Sequence, residues 1–347
     1  MERALGEMLR SSARARFLGW EDELSALERL FGDEGPRVML VHGIAGIGKS
    51  ALLDVLSTRA PDTGAEMIVL DCRALEPTVP GLLRGLSEAL GCDRVDPGEL
   101  PRVLSSRGRP VLIALDHAEA YRLLEAWILR VLVPTFPANA RLLLAGRYPP
   151  SPAWLASPGW GSLLTRVELG SLSVRHAADL LRREGVDDAR AHRIARLVQG
   201  HPLALGLAAS ALRARPDLEL EERTVPQALE TLCAMFLEDV PDRETRAALE
   251  AAALIRRTTL SLSRAMLPGV DAERAYAGLL ELPFVSVASD GLAIHDAVRE
   301  AIGRSVRARD PSRHTELRRR AWRQLIAEAS TAVRDDLWRY TADVLYL

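Results

Sequence analysis

Lysine is nearly missing from this chain. Of its 45 lysines and arginines, within 347 residues, only Lys49 is lysine. A sequence that writes almost every cation as arginine keeps lysine where a compact ammonium on a thin stem does what a wide planar guanidinium cannot. Cysteine is scarce as well. Cys72, Cys92 and Cys233 are far apart and form no CxxC pair, which excludes a disulfide framework and a structural zinc site and fits small buried residues in a reducing cytosol. No apolar run approaches the roughly 18 residues of a membrane span, and MERALGEMLRSSARAR at the N-terminus has no apolar signal block. The reading is therefore cytoplasmic, with no membrane partner. Aromatics make up 5% and the net charge is −2, so global charge favours neither nucleic acid nor acidic partners. Repeats and low-complexity segments are absent. What remains is an ordinary globular composition, 48% apolar and 27% charged, long enough for two or three domains of about 100 to 200 residues.

The order of apolar patterns divides the chain. Residues 1–16 read as an N-terminal helical arm. FLGWEDELSALERLF, 17–31, carries Leu24, Leu27, Leu30 and Phe31 at the spacing of one helix face, after a break at Gly19. Val38–Val41 is a short apolar run that predicts a buried strand, and KSALLDVLSTRA further on has a helix pattern. Strands are predicted at 66–71, 111–115, 141–146 and 165–169, with helices near 80–90, 98–106 and 119–133 between them. Strands alternating with helices of this length predict a parallel sheet covered on both faces, an α/β domain over 17–170. From about 173 the strands stop. Amphipathic helices predict a small helical domain over 171–225. Helices near 227–238, 243–256, 261–267 and 272–281 then lead to FVSVASDGLAIHD, whose two apolar stretches flank Ser289-Asp290-Gly291 as a hairpin does. Helices followed by a hairpin predict a winged helix over 226–306. Residues 307–347, Arg-rich and then amphipathic, read as the start of a C-terminal helical region cut short.

Between the first strand and its helix stands Gly43-Ile44-Ala45-Gly46-Ile47-Gly48-Lys49-Ser50. It fits GxxxxGK[ST] in the strand–loop–helix context that gives this motif its meaning. By average residue usage the pattern arises by chance in roughly 1% of chains this long. The glycines let backbone N–H groups turn inward toward phosphates at a helix N-terminus. Gly43, Ala45, Gly46, Ile47, Gly48, Lys49, Ser50 and Ala51 form the candidate phosphate-binding set. Lys49 would neutralise β and γ oxygens, and Ser50 would offer its hydroxyl to Mg²⁺. Asp116 ends the apolar run 111–115, where phosphate-loop ATPases of the additional-strand class place the carboxylate that holds the Mg²⁺ water shell. The next position usually carries a second acid that polarises the attacking water. Here it is His117, with Glu119 as a possible substitute, although it is expected to begin a helix and point elsewhere. Binding is thus expected, and hydrolysis slow at most. Arg147 ends the strand LLLAGR, within reach of a γ-phosphate by position, although an arginine there is also an ordinary surface residue. Pro202 in GHPLAL suits a helix start, and His295-Asp296 closes the hairpin and suits a helix cap.

FLGWEDEL, GIAGIGKS, LIALDHAE, LLLAGR, GHPLAL and IHD, in that order, resemble the motifs of the STAND signalling ATPases, the class of the NB-ARC proteins and of large ATP-binding bacterial regulators. The resemblance covers about 17–300. It implies a nucleotide-binding domain, a helical domain and a winged helix folded around ADP or ATP. By that analogy backbone at Phe17 and Leu18 holds adenine, Arg147 is the first sensor, Pro202 packs on the base or sugar, and His295 contacts the β-phosphate of ADP. Trp20 departs from the family's usual arginine after glycine, and His117 from its usual acid.

The resemblance also implies a switch, in which ADP holds the domains closed and ATP promotes opening and self-association. Its sensor or effector regions would lie outside these residues. One rival is a DNA-binding AAA+ protein of the origin-recognition type, suggested by Arg304, Arg307, Arg309, Arg313, Arg318, Arg319, Arg320 and Arg323. Asp310 and Glu316 interrupt that run, and DNA as a partner is not favoured. A second rival is a phosphoryl-transfer enzyme using the same loop, for which the chain shows no substrate-pocket signature.

Overall fold

The computed structural model describes residues 18–32, 35–150, 163–214, 242–282, 284–288, 290–333 and 336–347, with isolated positions between 228 and 240. It divides into two compact units, Met1–Leu172 and Ser173–Leu347. The arm at 1–16, Phe17 and most of the helix expected at 227–238 lie outside the described residues.

In the first unit, helix α1 (Glu21–Glu28) precedes β1 (Val38–His42), α2 (Lys49–Arg59), β2 (Glu66–Asp71), α3 (Val79–Leu90), α4 (Leu100–Ser105), β3 (Val111–Asp116), β4 (Ala140–Gly146) and β5 (Leu164–Glu168). The five strands form one parallel sheet in the order β2-β3-β4-β1-β5. Strand β4 thus stands between β1 and β3, the arrangement for which the additional-strand class is named. Alternate residues feed two cores. Val38, Leu40, Ile113, Leu115, Leu142 and Leu144 pack with Leu82 and Leu86 of α3. Met39, Val41, Leu112, Ala114, Leu143 and Ala145 pack with Leu24 and Leu27 of α1 and with Leu52, Leu53 and Leu56 of α2. Each fully buried leucine is worth about 1.5–3 kcal/mol. These two layers therefore hold the strand tips, where His42, Asp71, Asp116 and Gly146 end, in a fixed row.

The helix expected after the Gly19 break starts at Glu21, next to Trp20, whose left-handed backbone (φ 60°, ψ 29°) no α-helix admits. One helix of this unit differs from the sequence expectation. The one expected over 119–133 is broken into a 3₁₀ stretch Ala118–Leu124, an α turn Glu125–Trp127, a π turn Ile128–Leu132 and a 3₁₀ turn Val133–Thr135. Tyr121 leaves helical geometry (φ −101°, ψ 19°). Its buried hydroxyl donates to Glu76 O at 3.0 Å, and Ile128, Leu129 and Leu132 still reach the core. Tertiary anchoring outweighs the local pattern there.

The second unit contains α5 (Val174–Arg183), α6 (Asp188–Leu197), α7 (Pro202–Ala214), α8 (Arg243–Ala252), α9 (Leu260–Met266), α10 (Ala272–Leu280), the antiparallel hairpin β6 (Val285–Ala288) and β7 (Gly291–Ile294), α11 (Asp296–Arg309), α12 (Pro311–Ala329) and α13 (Leu337–Tyr346). Ser173, Asp187, Asp242, Thr259, Asp271 and Asp310 each accept a backbone N–H at the start of the helix that follows, which is why those helices begin there. The helix expected over 243–256 stops at Ala252, leaving Arg256 and Arg257 in the turn beyond. Helix α11 runs through residue 306, the end expected for the winged helix, and stops before Pro311, whose ring restricts Asp310. Asp343, the one residue of α13 with a buried side chain, accepts from Arg256 Nε at 2.6 Å and Arg257 Nε at 2.5 Å.

Candidate nucleotide-binding site

The glycine-rich loop joins the C-terminal end of β1 to α2, at the sheet edge where parallel strands place ligands. Gly48 caps α2 with φ 105°, a conformation that costs glycine little. At Gly43 a Cβ would stand 2.6 Å from Leu169 O, so only glycine lets the loop leave β1 beside the end of β5. The Lys49 ammonium donates to Gly43 O at 2.7 Å and Ile44 O at 3.0 Å. It is folded over its own loop, in the tight wrap that a guanidinium is too wide to enter. Ser50 Oγ donates to Asp116 Oδ2 at 2.6 Å, joining the first turn of α2 to the tip of β3. A hydroxyl and a carboxylate held together in this way are hard oxygen donors of the kind Mg²⁺ takes. Ala45, Gly46, Ile47 and Ala51 lie on the same loop and first helical turn. Ile47 is buried beneath the loop, with Leu52 and Leu53 in its core.

A second carboxylate belongs to this row and was not singled out from the sequence. Asp71, in register with Asp116 across β2 and β3, ends EMIVLD as Asp116 ends VLIALD. That repeated signature, an apolar run closed by Asp, was the available signal. Arg73 grips Asp71 with Nε at 3.1 Å and Nη2 at 2.9 Å. His117 Nδ1 stands between the two carboxylates, 3.2 Å from Asp71 Oδ1 and 3.4 Å from Asp116 Oδ2. Burial pushes the Asp71 carboxyl up, but His117 and Arg73 outweigh it and hold the group well below the usual carboxylate range. Cys72 behind them is pushed the other way, by burial first and then by Asp71, Asp116 and Glu119. It is an inert thiol.

Glu119 does not stand free beside Asp116. Its Oε2 accepts from the backbone N–H of Arg147 at 3.2 Å, and its Oε1 lies 3.3 Å from Arg147 Nε. Both are half-buried, and the carboxylate fixes where the guanidinium at the β4 tip starts from. Trp20 was noted in the sequence only as a departure. Its indole lies over Gly48, and Nε1–H donates to Gly170 O at 2.9 Å. Leu18 is half-buried at the start of the described chain.

The second unit carries the two remaining candidates. Pro202 opens α7 and lines an apolar cleft of about 330 Å³ with Leu181, Gly206, Leu207 and Phe284. His295 is the N-cap of α11. Its Nδ1 accepts from Ala297 N at 3.3 Å, and its own N–H donates to Phe284 O at 2.9 Å.

These features define the fold of a phosphate-loop ATPase of the additional-strand class. Among solved structures, a signal transduction ATPase with numerous domains (STAND) carrying a tetratricopeptide repeat sensor, from Pyrococcus horikoshii, matches with TM-score 0.60 at 18% identity, over 94% of this chain and 48% of that one. A Walker-type ATPase of Pyrococcus abyssi matches with TM-score 0.46 at 17% identity, over 82% of this chain and 96% of that one. The ORC1 protein of Aeropyrum pernix, in complex with DNA, gives 0.43 at 18%, over 85% and 93%. The likeness is one of fold, and the chain has the fold of a STAND-class phosphate-loop ATPase while spanning about half the length of the first of these structures. No family model and no curated protein matches the sequence. No helix among the described residues is long and apolar enough to cross a membrane.

Proposed function

We propose that the chain is an ATP/ADP-binding molecular switch of the STAND class, closed and resting with ADP, opened and self-associating with ATP, and slow to hydrolyse. The observation that carries this reading is the Ser50–Asp116 hydrogen bond beside the folded-over Lys49. It supports the reading because it brings Ser50 and Asp116, the residues proposed for the metal, together beside the loop, with Arg147 at the tip of β4, the strand between β1 and β3. Mg²⁺, when bound with the nucleotide, would neutralise its phosphates. Ser50 and Asp116 would hold the ion, Lys49 the β and γ oxygens, and the loop N–H groups the rest. Slow turnover follows from the residues that would polarise water. Position 117 is an imidazole facing two carboxylates, and Glu119 is engaged with Arg147.

A switch needs ligands that contact its two states differently. In this proposal Arg147 senses the γ-phosphate and His295 the β-phosphate of ADP. His295 suits that task. With Nδ1 accepting from Ala297 N–H, the neutral ring carries its proton on Nε2, a donor for an anion. Backbone at Phe17 and Leu18 would hold adenine and Pro202 would pack on base or sugar. In this reading 17–170 is the nucleotide-binding domain, 171–225 the helical domain and 226–306 the winged helix, working in the cytoplasm in signalling or transcriptional regulation with sensor or effector regions beyond these residues. Four of the eight arginines that suggested the DNA-binding alternative are engaged with carboxylates. Arg309 and Arg313 pair with Glu250, and Arg319 and Arg320 with Glu316. Denaturing the purified protein and identifying the nucleotide released tests the proposal. Stoichiometric ADP supports a resting switch, whereas an empty site together with fast multiple turnover of added ATP refutes it.

A further inference from the structure

Three independent features meet at Trp20. Its backbone is left-handed at φ 60°, a conformation uncommon for a bulky residue and held only where the surroundings enforce it. Its indole covers Gly48 so closely that a Cβ on that glycine would stand 2.8 Å from Cη2 and 3.2 Å from Cζ3. Its Nε1–H donates to Gly170 O at 2.9 Å, across 150 residues of sequence. The indole also packs on the core formed by α1, α2 and one face of the sheet. The ring therefore occupies the space that a side chain at the N-cap of α2 would take. It joins that N-cap to the start of α1 and to the segment just after β5.

We propose that Trp20 is a positioning residue for the phosphate loop, clamping Gly48, and with it the Lys49–Ser50 turn, against the Gly170 backbone so that the loop is held ready for a nucleoside diphosphate or triphosphate. This rests on the nucleotide-binding reading above. The clamp lowers the ordering cost that a free loop would meet on binding, which is how rigid supports raise affinity. It also gives Gly48 a second reason to be glycine beside its positive φ.

The test is ADP affinity of the full chain, by titration with a fluorescent ADP analogue, in wild type, Trp20→Phe, Trp20→Ala, Gly48→Ala, the Trp20→Ala/Gly48→Ala double variant and Lys49→Ala. Trp20→Phe keeps a ring on Gly48 but loses the N–H and should weaken binding a few-fold, by about one hydrogen bond. Trp20→Ala should weaken it at least tenfold. The double variant should bind better than the product of the single effects predicts, because removing the indole relieves the clash that the new methyl meets. A general loss of folding would not produce that rescue. Wild-type affinity in Trp20→Ala, or strictly multiplicative effects in the double variant, would overturn the clamp while leaving nucleotide binding intact. If neither wild type nor Lys49→Ala binds the analogue, the nucleotide reading falls and the clamp with it.

Discussion

Lys49, the chain's single lysine, folds back onto its own loop. The ammonium donates to Gly43 O and Ile44 O within six residues of its own backbone, a space that a flat guanidinium with five fixed donors does not fit. Lys49→Arg, the substitution this arginine-rich sequence makes everywhere else, should therefore abolish ADP binding as fully as Lys49→Ala does. Calorimetric titration with ADP checks this, and a Lys49→Arg protein that still takes up ADP refutes it. The residues that the sequence made legible here are those of one contiguous motif, plus Asp116 by its strand end. Asp71 and Trp20 were not, because their roles arise from partners 45 to 150 residues away: Asp116 and His117 for Asp71, Gly170 for Trp20. Glu119 was noted from the sequence as a substitute for the missing acid at 117, but its engagement with Arg147 is a contact between separate strand ends and has no local signature.

At the scale of elements, regular strands were readable and irregular helices were not. A buried parallel strand is a continuous apolar run whatever surrounds it. The broken helix between β3 and β4 depends on where Tyr121 finds its acceptor at Glu76, and its apolar residues suit α, 3₁₀ and π turns alike. Helix α13 shows another case, since polar contacts fix its place. Its buried Asp343 faces Arg256 and Arg257, Arg257 also pairs with Asp290 at 3.5 Å, and the Arg299 guanidinium lies 4.7 Å from the Tyr346 ring centre. Removing one partner from a buried ionic cluster leaves the others desolvated and uncompensated. Asp343→Ala should destabilise this unit by about 3–5 kcal/mol, toward the lower end because Asp290 remains. Urea unfolding followed by circular dichroism measures the loss, and an unchanged midpoint would show that α13 docks by other means. Helix α8 supplies a pH test. Hydrogen bonds from the Thr245 hydroxyl and backbone hold the capping Asp242 carboxyl below its ordinary value. A carboxylate lowered on folding stabilises the fold above its unfolded pKa of about 3.9, and that contribution disappears as pH falls through the lower folded value. Asp242→Asn should therefore lose stability relative to wild type at pH 7, and the gap should close progressively below about pH 4.

For the whole molecule, the proposed switch makes His295 and the elements tied to it the part of the second unit to test. The helix that His295 caps also carries Asp296 and Arg299. Arg299 donates to Asp296 at 2.6 Å and to Arg256 O at 3.2 Å, and its guanidinium lies over the Tyr346 ring of α13. The first turn of α11 is thus tied to α13, so a displacement of α13 would be felt at the residue proposed to hold ADP. If His295 favours the ADP state by one charge-assisted hydrogen bond, worth about 1.5–3 kcal/mol, its loss shifts a two-state equilibrium about 10- to 150-fold toward the open form. His295→Ala should then elute with ADP as the wild type does with ATP, at the larger size of a self-associated species. His295→Gln, which retains a side-chain donor, should fall between them. The measurement is size-exclusion chromatography with light scattering in saturating ADP and in saturating ATP. Identical profiles for wild type and His295→Ala under both nucleotides would remove His295 from the switch and leave it as the helix cap its Nδ1 contact already makes it.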